Sequence, residues 1–421
     1  MKPGAVLLLL VALPALVAAN DNQVISDPLT RDPLLEITHY FLDRWPGSIA
    51  VSQNNRFFCS FPGALDGRNV YNDTNSDNFQ LGELLDRFTE APYPNAAMNQ
   101  PPGGPIDYTQ SPPVGKALPN YFIGVQGLHV TPDDLLYVVD CGRSIDANGA
   151  QVLASPGGPK IVVISIANDT VIATYILPPN IAGPTSLIAE VTVDTIYGFI
   201  YVTDASPERV NAIIVISIYS GSIRRVLQYD KSVEAVYGIL PWCYGDPLYQ
   251  TQFDAFGNPI RASFLTNGVS GVGLAPGANT LCWKRLGGRS LYCVPTFVLR
   301  DFNTSDSEIA SYTRDYGETG ISVGCVFDSN YVFYCGHIEQ DAVFQFTFGN
   351  ELATLFIHDP RINVAYSVTI SEDGYLYGIV NQLNYIRGIY PGQGPLEQDR
   401  RVPPYILIRK QLPNNGTKAL H

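Results

Sequence analysis

The chain has 421 residues, is 46% hydrophobic and only 15% charged, and carries a formal charge of −13. That composition supports a large core and excludes a disordered polymer, while the acidity argues against a nucleic-acid or anionic-membrane surface, both of which need a basic field. Such a length can still form a single domain if the fold is a large all-β ring.

The first residues combine an early Lys2, an apolar run from Ala5 to Ala19 and small residues before Asn20. This is the pattern of a secretory signal peptide over residues 1–19, too short and wrongly flanked for a membrane span. The mature chain, residues 20–421, is then expected to be one domain in the secretory lumen or outside the cell, with no membrane anchor. Sequons at Asn72, Asn168, Asn303 and Asn415 agree with that compartment.

Six stretches then repeat one theme, an apolar strand, a polar turn and a second apolar strand ending in small polar residues. They run over Ser48 to Gly63, Gly127 to Gly142, Ala189 to Ser206, Gly271 to Leu286, Gly324 to Glu339 and Ser367 to Gln382. Period-2 patterning and turn chemistry make each a β-hairpin. Recurrence at a spacing of tens of residues predicts an array, and the all-β array that protects its edges is a six-bladed β-propeller. Leu34 to Trp45 and Tyr405 to Arg409 can share one blade and close the ring. Two long insertions interrupt the pattern: Ala91 to Asn120, too rich in Pro and Gly for helix or central strand, and Pro241 to Thr266, dense in aromatic residues.

Of the seven cysteines, Cys282 falls opposite Cys293 and Cys325 opposite Cys335 when their hairpins are drawn, which predicts two disulfides. Cys59, Cys141 and Cys243 leave at least one free thiol.

At LGELLDRFTEAPYPN, LLYVVDCGRSID, PPNIAGPTSLIAEVTVD and FIYVTDAS the chain resembles the yellow and major royal jelly protein family. The resemblance continues through GVSGVGLAPGANTLCWKRLGGRSLYCVPTFVLRD and HDPRINVAYSVTISEDGYLYGIVNQL, so that it covers most of the mature chain. Its most specific part is Tyr292 to Thr296 with Leu299 to Asp301. The resemblance implies a secreted six-bladed propeller whose central cavity holds small aromatic or amine-like molecules; some members look like isomerases, others like binding or storage proteins. The Pro-Pro-Gly-Gly insertion and Cys141 depart from insect members and look more like a fungal branch that includes hetero-Diels–Alderases.

Nucleophile-elbow, zinc-helix, P-loop and dinucleotide motifs are absent, so neither a cofactor nor a resident metal is expected. The residues left to carry chemistry stand where blade strands end. Asp140, Arg143, His337 and Glu339 are the candidate catalytic groups, able to polarise a carbonyl or shuttle a proton. Asp204, Trp242, Asn267, Gln340, Tyr366 and Asn381 are candidate substrate contacts. Each has a plainer alternative, since Asp and Asn after a strand also make turns and Asp140 can pair with Arg143 structurally. Three functions compete: a cofactor-free cyclase, cycloaddition enzyme or isomerase acting on a small apolar or aromatic molecule; a carrier for aromatic or amine metabolites; and a calcium-dependent lactonase-type hydrolase using Glu190, Asp204, Asn267 and Asn381.

Overall fold

The computed structural model describes residues 31–72, 77–253, 259–349, 351–389 and 398–421. The expected signal peptide lies outside them, as does Thr74 of the first sequon.

Each of the six predicted hairpins forms the two inner strands of a four-stranded antiparallel sheet. The innermost strands are Ile49–Val51, Val125–Val130, Ile188–Asp194, Val269–Leu274, Ser322–Phe327 and Ala365–Ile370, which define blades 1 to 6 in chain order. Each innermost strand abuts the next, and Ile49–Val51 also abuts Ala365–Ile370, closing the circle. The molecule is a six-bladed β-propeller. Closure uses both ends of the chain as expected: Glu36–Phe41 pairs with Tyr405–Gln411 as the outermost strand of blade 6. That pairing closes the ring's seam between the first and last described strands.

Alternation of side chains buries both faces of the central strands between neighbouring blades. Phe58, Leu136 and Val162 pack in one such layer, Tyr201, Ile213 and Trp283 in another. The two disulfides form as predicted, Cys282–Cys293 in blade 4 and Cys325–Cys335 in blade 5, each joining directly opposed residues. Cys59, Cys141 and Cys243 are free and buried.

Five of the six inner hairpins break register at the same height, between Val125 and Leu128, Ile188 and Val191, Val269 and Val272, Ser322 and Cys325, and Ala365 and Ser367. A bulge bends its strand and re-aims side chains. Here the displaced residues meet at the axis. Glycine follows in three blades because the backbones nearly touch: a Cβ on Gly127 would stand 2.2 Å from the Ala189 carbonyl oxygen, and one on Gly271 2.4 Å from that of Val323. Blade 3 places Glu190 at this position.

The end of the axis away from the starts of these strands is covered by the last residues of the chain. Leu420 accepts from the Gly277 amide at 3.1 Å, Thr195 Oγ1 donates to the His421 carbonyl at 2.5 Å, and Thr417 binds Ser329. Among the described residues, no helix is long and apolar enough to cross a membrane.

Candidate functional site at the open mouth of the ring

At the other end of the axis a cavity of about 260 Å³ opens above the bulges. Its floor is made by Gln126, Ala189, Ser270, Val323 and Tyr366, the residues that the register breaks turn inward. Leu187, Leu286, Leu383 and Ile386 form apolar walls. The roof comes from the aromatic-rich insertion and from the segment Leu383–Ile389 that follows the second strand of blade 6, which touch where the Thr251 amide donates to the Gly388 carbonyl at 2.5 Å. The aromatic-rich insertion thus contributes to the mouth through Gln250 and Thr251. The Pro- and Gly-rich insertion supplies none of the lining.

One residue further along the strands lies a narrow axial channel, lined by Glu190, His129 and His421 among others. The Glu190 carboxyl sits there near Tyr366, in a channel that Lys418 also lines. Burial pushes its pKa up from 4.5 to about 8, so the neutral acid prevails at pH 7. Burial, followed by the nearby Glu190, raises the Tyr366 phenol far above its ordinary value. The phenol remains a proton-bearing donor at every physiological pH. Burial also lowers His421 to about 4 and His129 well below its usual range, which keeps both imidazoles neutral.

Of the ten candidate site residues, the structure brings Asn267 and Tyr366 to the mouth cavity. The others stand outside its lining. Asp140 is fully buried at the end of its strand, where it accepts from the Ile123 and Gly124 amides at 2.8 Å each and pairs with Lys160 at 2.9 Å. Its cation is therefore Lys160. Asp204 repeats the device in blade 3, accepting from the Leu187 amide and pairing with Arg225, both at 2.9 Å. Asn381 in blade 6 instead donates to the Pro46 carbonyl at the entry to blade 1 and accepts from the Leu383 amide two residues on. Asp140 and Asp204 thereby anchor the segments that enter blades 2 and 3, and Asn381 ties the last blade to the entry of the first.

Arg143 is buried and donates to the carbonyls of Val152 and Thr185 and to Glu208. His337 is buried against Phe344, its ring centroid 4.5 Å away, and burial lowers its pKa to about 4. Glu339 binds Arg289 and caps the amide of Trp242, which is half exposed, while Gln340 is exposed. In the proposed calcium set, Asp204 and Asn381 thus have their polar atoms engaged elsewhere, and Asn267 donates to the Ala205 carbonyl. Among the described residues, no group of three or more His, Cys, Asp or Glu side chains is placed to hold a metal ion.

Sequence reasoning passed over Gln126, Ser270, Thr251 and Arg387, and named Glu190 only as a calcium ligand. One signal was available. Aligning the hairpins sets Gln126-Gly127, Ser270-Gly271 and Val323-Gly324 against Ala189-Glu190, so a charge stands where close packing otherwise selects glycine. Thr251 lies in the aromatic-rich insertion and Arg387 in the segment after the last inner hairpin, and neither has a repeat to align.

A comparison with curated protein sequences finds no match. Among solved structures, the chain is similar to a gluconolactonase from Xanthomonas campestris, with a TM-score of 0.45, 10% identity and 88% of each chain covered. It is also similar to virginiamycin B lyase from Staphylococcus aureus, with a TM-score of 0.43, 13% identity and 90% and 99% coverage. A third likeness is to the aldose sugar dehydrogenase of Streptomyces coelicolor, with a TM-score of 0.44, 10% identity and 91% and 99% coverage. The family described as Major royal jelly protein matches residues 123–389, which span blades 2 to 5 and both inner strands of blade 6. The chain belongs to the Major royal jelly protein family.

Proposed function

We propose that this protein is a secreted enzyme of secondary metabolism that carries out a cofactor-free cyclisation, hetero-Diels–Alder cycloaddition or isomerisation on an apolar aromatic or terpenoid intermediate. The observation that carries this reading is the mouth cavity, with apolar walls and Tyr366 in its floor near the buried Glu190 carboxyl, whose pKa is raised. Reactions of this kind are accelerated by holding reacting groups in a near-attack geometry and by a few well-placed hydrogen bonds. Tyr366 would donate to a carbonyl oxygen of the electron-poor component and stabilise the charge that develops there. Glu190, neutral at pH 7, would leave that phenol its proton and exert no repulsion on a forming oxyanion. Secretion is consistent with the two disulfides, which persist in oxidising compartments, and with the family.

A carrier role for aromatic or amine molecules is the second reading. It is favoured by Glu190 alone, since an ammonium ion entering the channel would give that carboxylate a counterion. Turnover separates the two. Incubating chelator-dialysed protein with electron-poor enones and dienes should change product ratio or stereochemistry relative to buffer, and Tyr366→Phe should abolish that change. Tight binding without conversion would favour the carrier.

A further inference from the structure

We propose that the ligand site continues out of the mouth cavity along a groove over blades 1 and 2, and that it takes an elongated, uncharged molecule with an apolar part at each end. The inference rests on the mouth cavity being the ligand site. At about 260 Å³ the cavity falls short of the roughly 300–1,000 Å³ that sites for drug-sized ligands enclose. A reaction that joins two components has to hold both of them at once. The cavity opens on the side of blades 1 and 2, where Leu65, Gly149 and Ile386 line both it and a groove of about 420 Å³. Past Ile145 and Ala147 the groove runs on into a depression of about 360 Å³.

Two properties of the groove set the chemistry of its occupant. Its middle reach is polar but balanced, since the charged residues that line it are three aspartates and three arginines. Arg401 pairs with Asp66 at 2.9 Å and with Asp399 at 2.7 Å, and Arg68 pairs with Asp66 at 3.1 Å. Asp146 is held by the Asn148 and Ala150 amides, at 2.9 Å each. Equal numbers of opposite charges favour neither an anion nor a cation, whereas their hydrogen-bonding edges suit a carbonyl or a hydroxyl. The outer end is apolar and aromatic: Val70, Tyr71, Ile106 and Tyr108 line it, and Tyr108 is 64% exposed. Tyrosine rings of this kind give an apolar group a large surface to cover. The Pro- and Gly-rich insertion, which stays outside the mouth cavity, thereby reaches the ligand through Ile106 and Tyr108. The occupant has one apolar body in the cavity, a neutral polar link in the middle reach and a second apolar body against these rings.

Equilibrium dialysis of the full-length secreted protein with methyl 2-naphthoate and geranyl 2-naphthoate tests this, because the two esters share an arene and a carbonyl and differ in the apolar chain. The protein is first treated with endoglycosidase, since Asn72 of the first sequon lines the outer end of the groove. The geranyl ester should bind about tenfold more tightly or better, the gain coming from the chain that the groove takes out of water. Ala147 is exposed and lines the groove but not the mouth cavity. Ala147→Trp should therefore bring the geranyl ester to the affinity of the methyl ester and leave the methyl ester unchanged. Equal binding of the two esters by the unmodified protein, or a ratio that Ala147→Trp leaves unchanged, would overturn the proposal. Ala189→Phe, which narrows the cavity from its floor, distinguishes the two levels. If it weakens both esters while Ala147→Trp alters neither, the cavity is a ligand site and the groove is not part of it. If it leaves both esters bound as before, the cavity is not the ligand site and both readings fall.

Discussion

Replacing Glu190 by Gln should make the protein more stable at high pH and remove a defined segment of its pH dependence. The carboxyl ionises near 4.5 in an unfolded chain but near 8 in the ring, because burial disfavours its charge. Below pH 4.5 both states hold the proton and the difference vanishes. Between 4.5 and about 8 the folded state holds a proton that the unfolded state has released, so stability falls as pH rises. Above 8 the loss is complete and constant. At about 1.4 kcal/mol per pH unit the interval corresponds to about 5 kcal/mol, an upper bound because the channel leaves part of the side chain uncovered. Glutamine keeps the size and polarity without the ionisation. Urea unfolding at pH 5 and pH 9 should show the unmodified protein losing several kcal/mol more than Glu190→Gln across that range. Parallel pH profiles for the two proteins would refute a buried, unpaired acid on the axis.

Further outcomes follow from other parts of the ring. Asp140→Ala strands Lys160 without its partner and should cost about 3–5 kcal/mol of stability; an unchanged urea midpoint would return Asp140 to the list of groups free for chemistry. Replacing both Cys282 and Cys293 by Ser opens a crosslink between residues 11 apart and should cost about 2–3 kcal/mol, and non-reducing peptide mapping should first find the two joined. Asn168, Asn303 and Asn415 are exposed, so protein secreted from a eukaryotic host should lose mass on deglycosylation; cytosolic, unmodified chain with residues 1–19 intact would contradict the secretory expectation.

Much of the fold was legible because a propeller repeats itself: the same hairpin occurs six times, and the cross-strand positions of Cys282 and Cys293 follow from counting back from one turn. The site was less legible for a physical reason. Asp140, Asp204 and Asn381 share a strand-end position that suggests convergence on the axis, yet at that position backbone amides of the adjoining segments claim their oxygens first. The axis is instead reached through bulges, which depend on how strands pair and leave no mark in hydrophobic alternation. Arg387 and Thr251 come together only because the 241–266 insertion and the segment after the second strand of blade 6 meet over the mouth.

The most direct test of the central claim is the rate and stereochemistry of product formation by chelator-dialysed protein, compared with Tyr366→Phe. Loss of one hydrogen bond to a developing charge should slow the reaction about 10²–10³-fold, while dialysis should leave the unmodified protein at full activity. Activity that disappears on dialysis and returns with calcium, or a Tyr366→Phe variant as fast and as selective as the unmodified protein, would contradict the account.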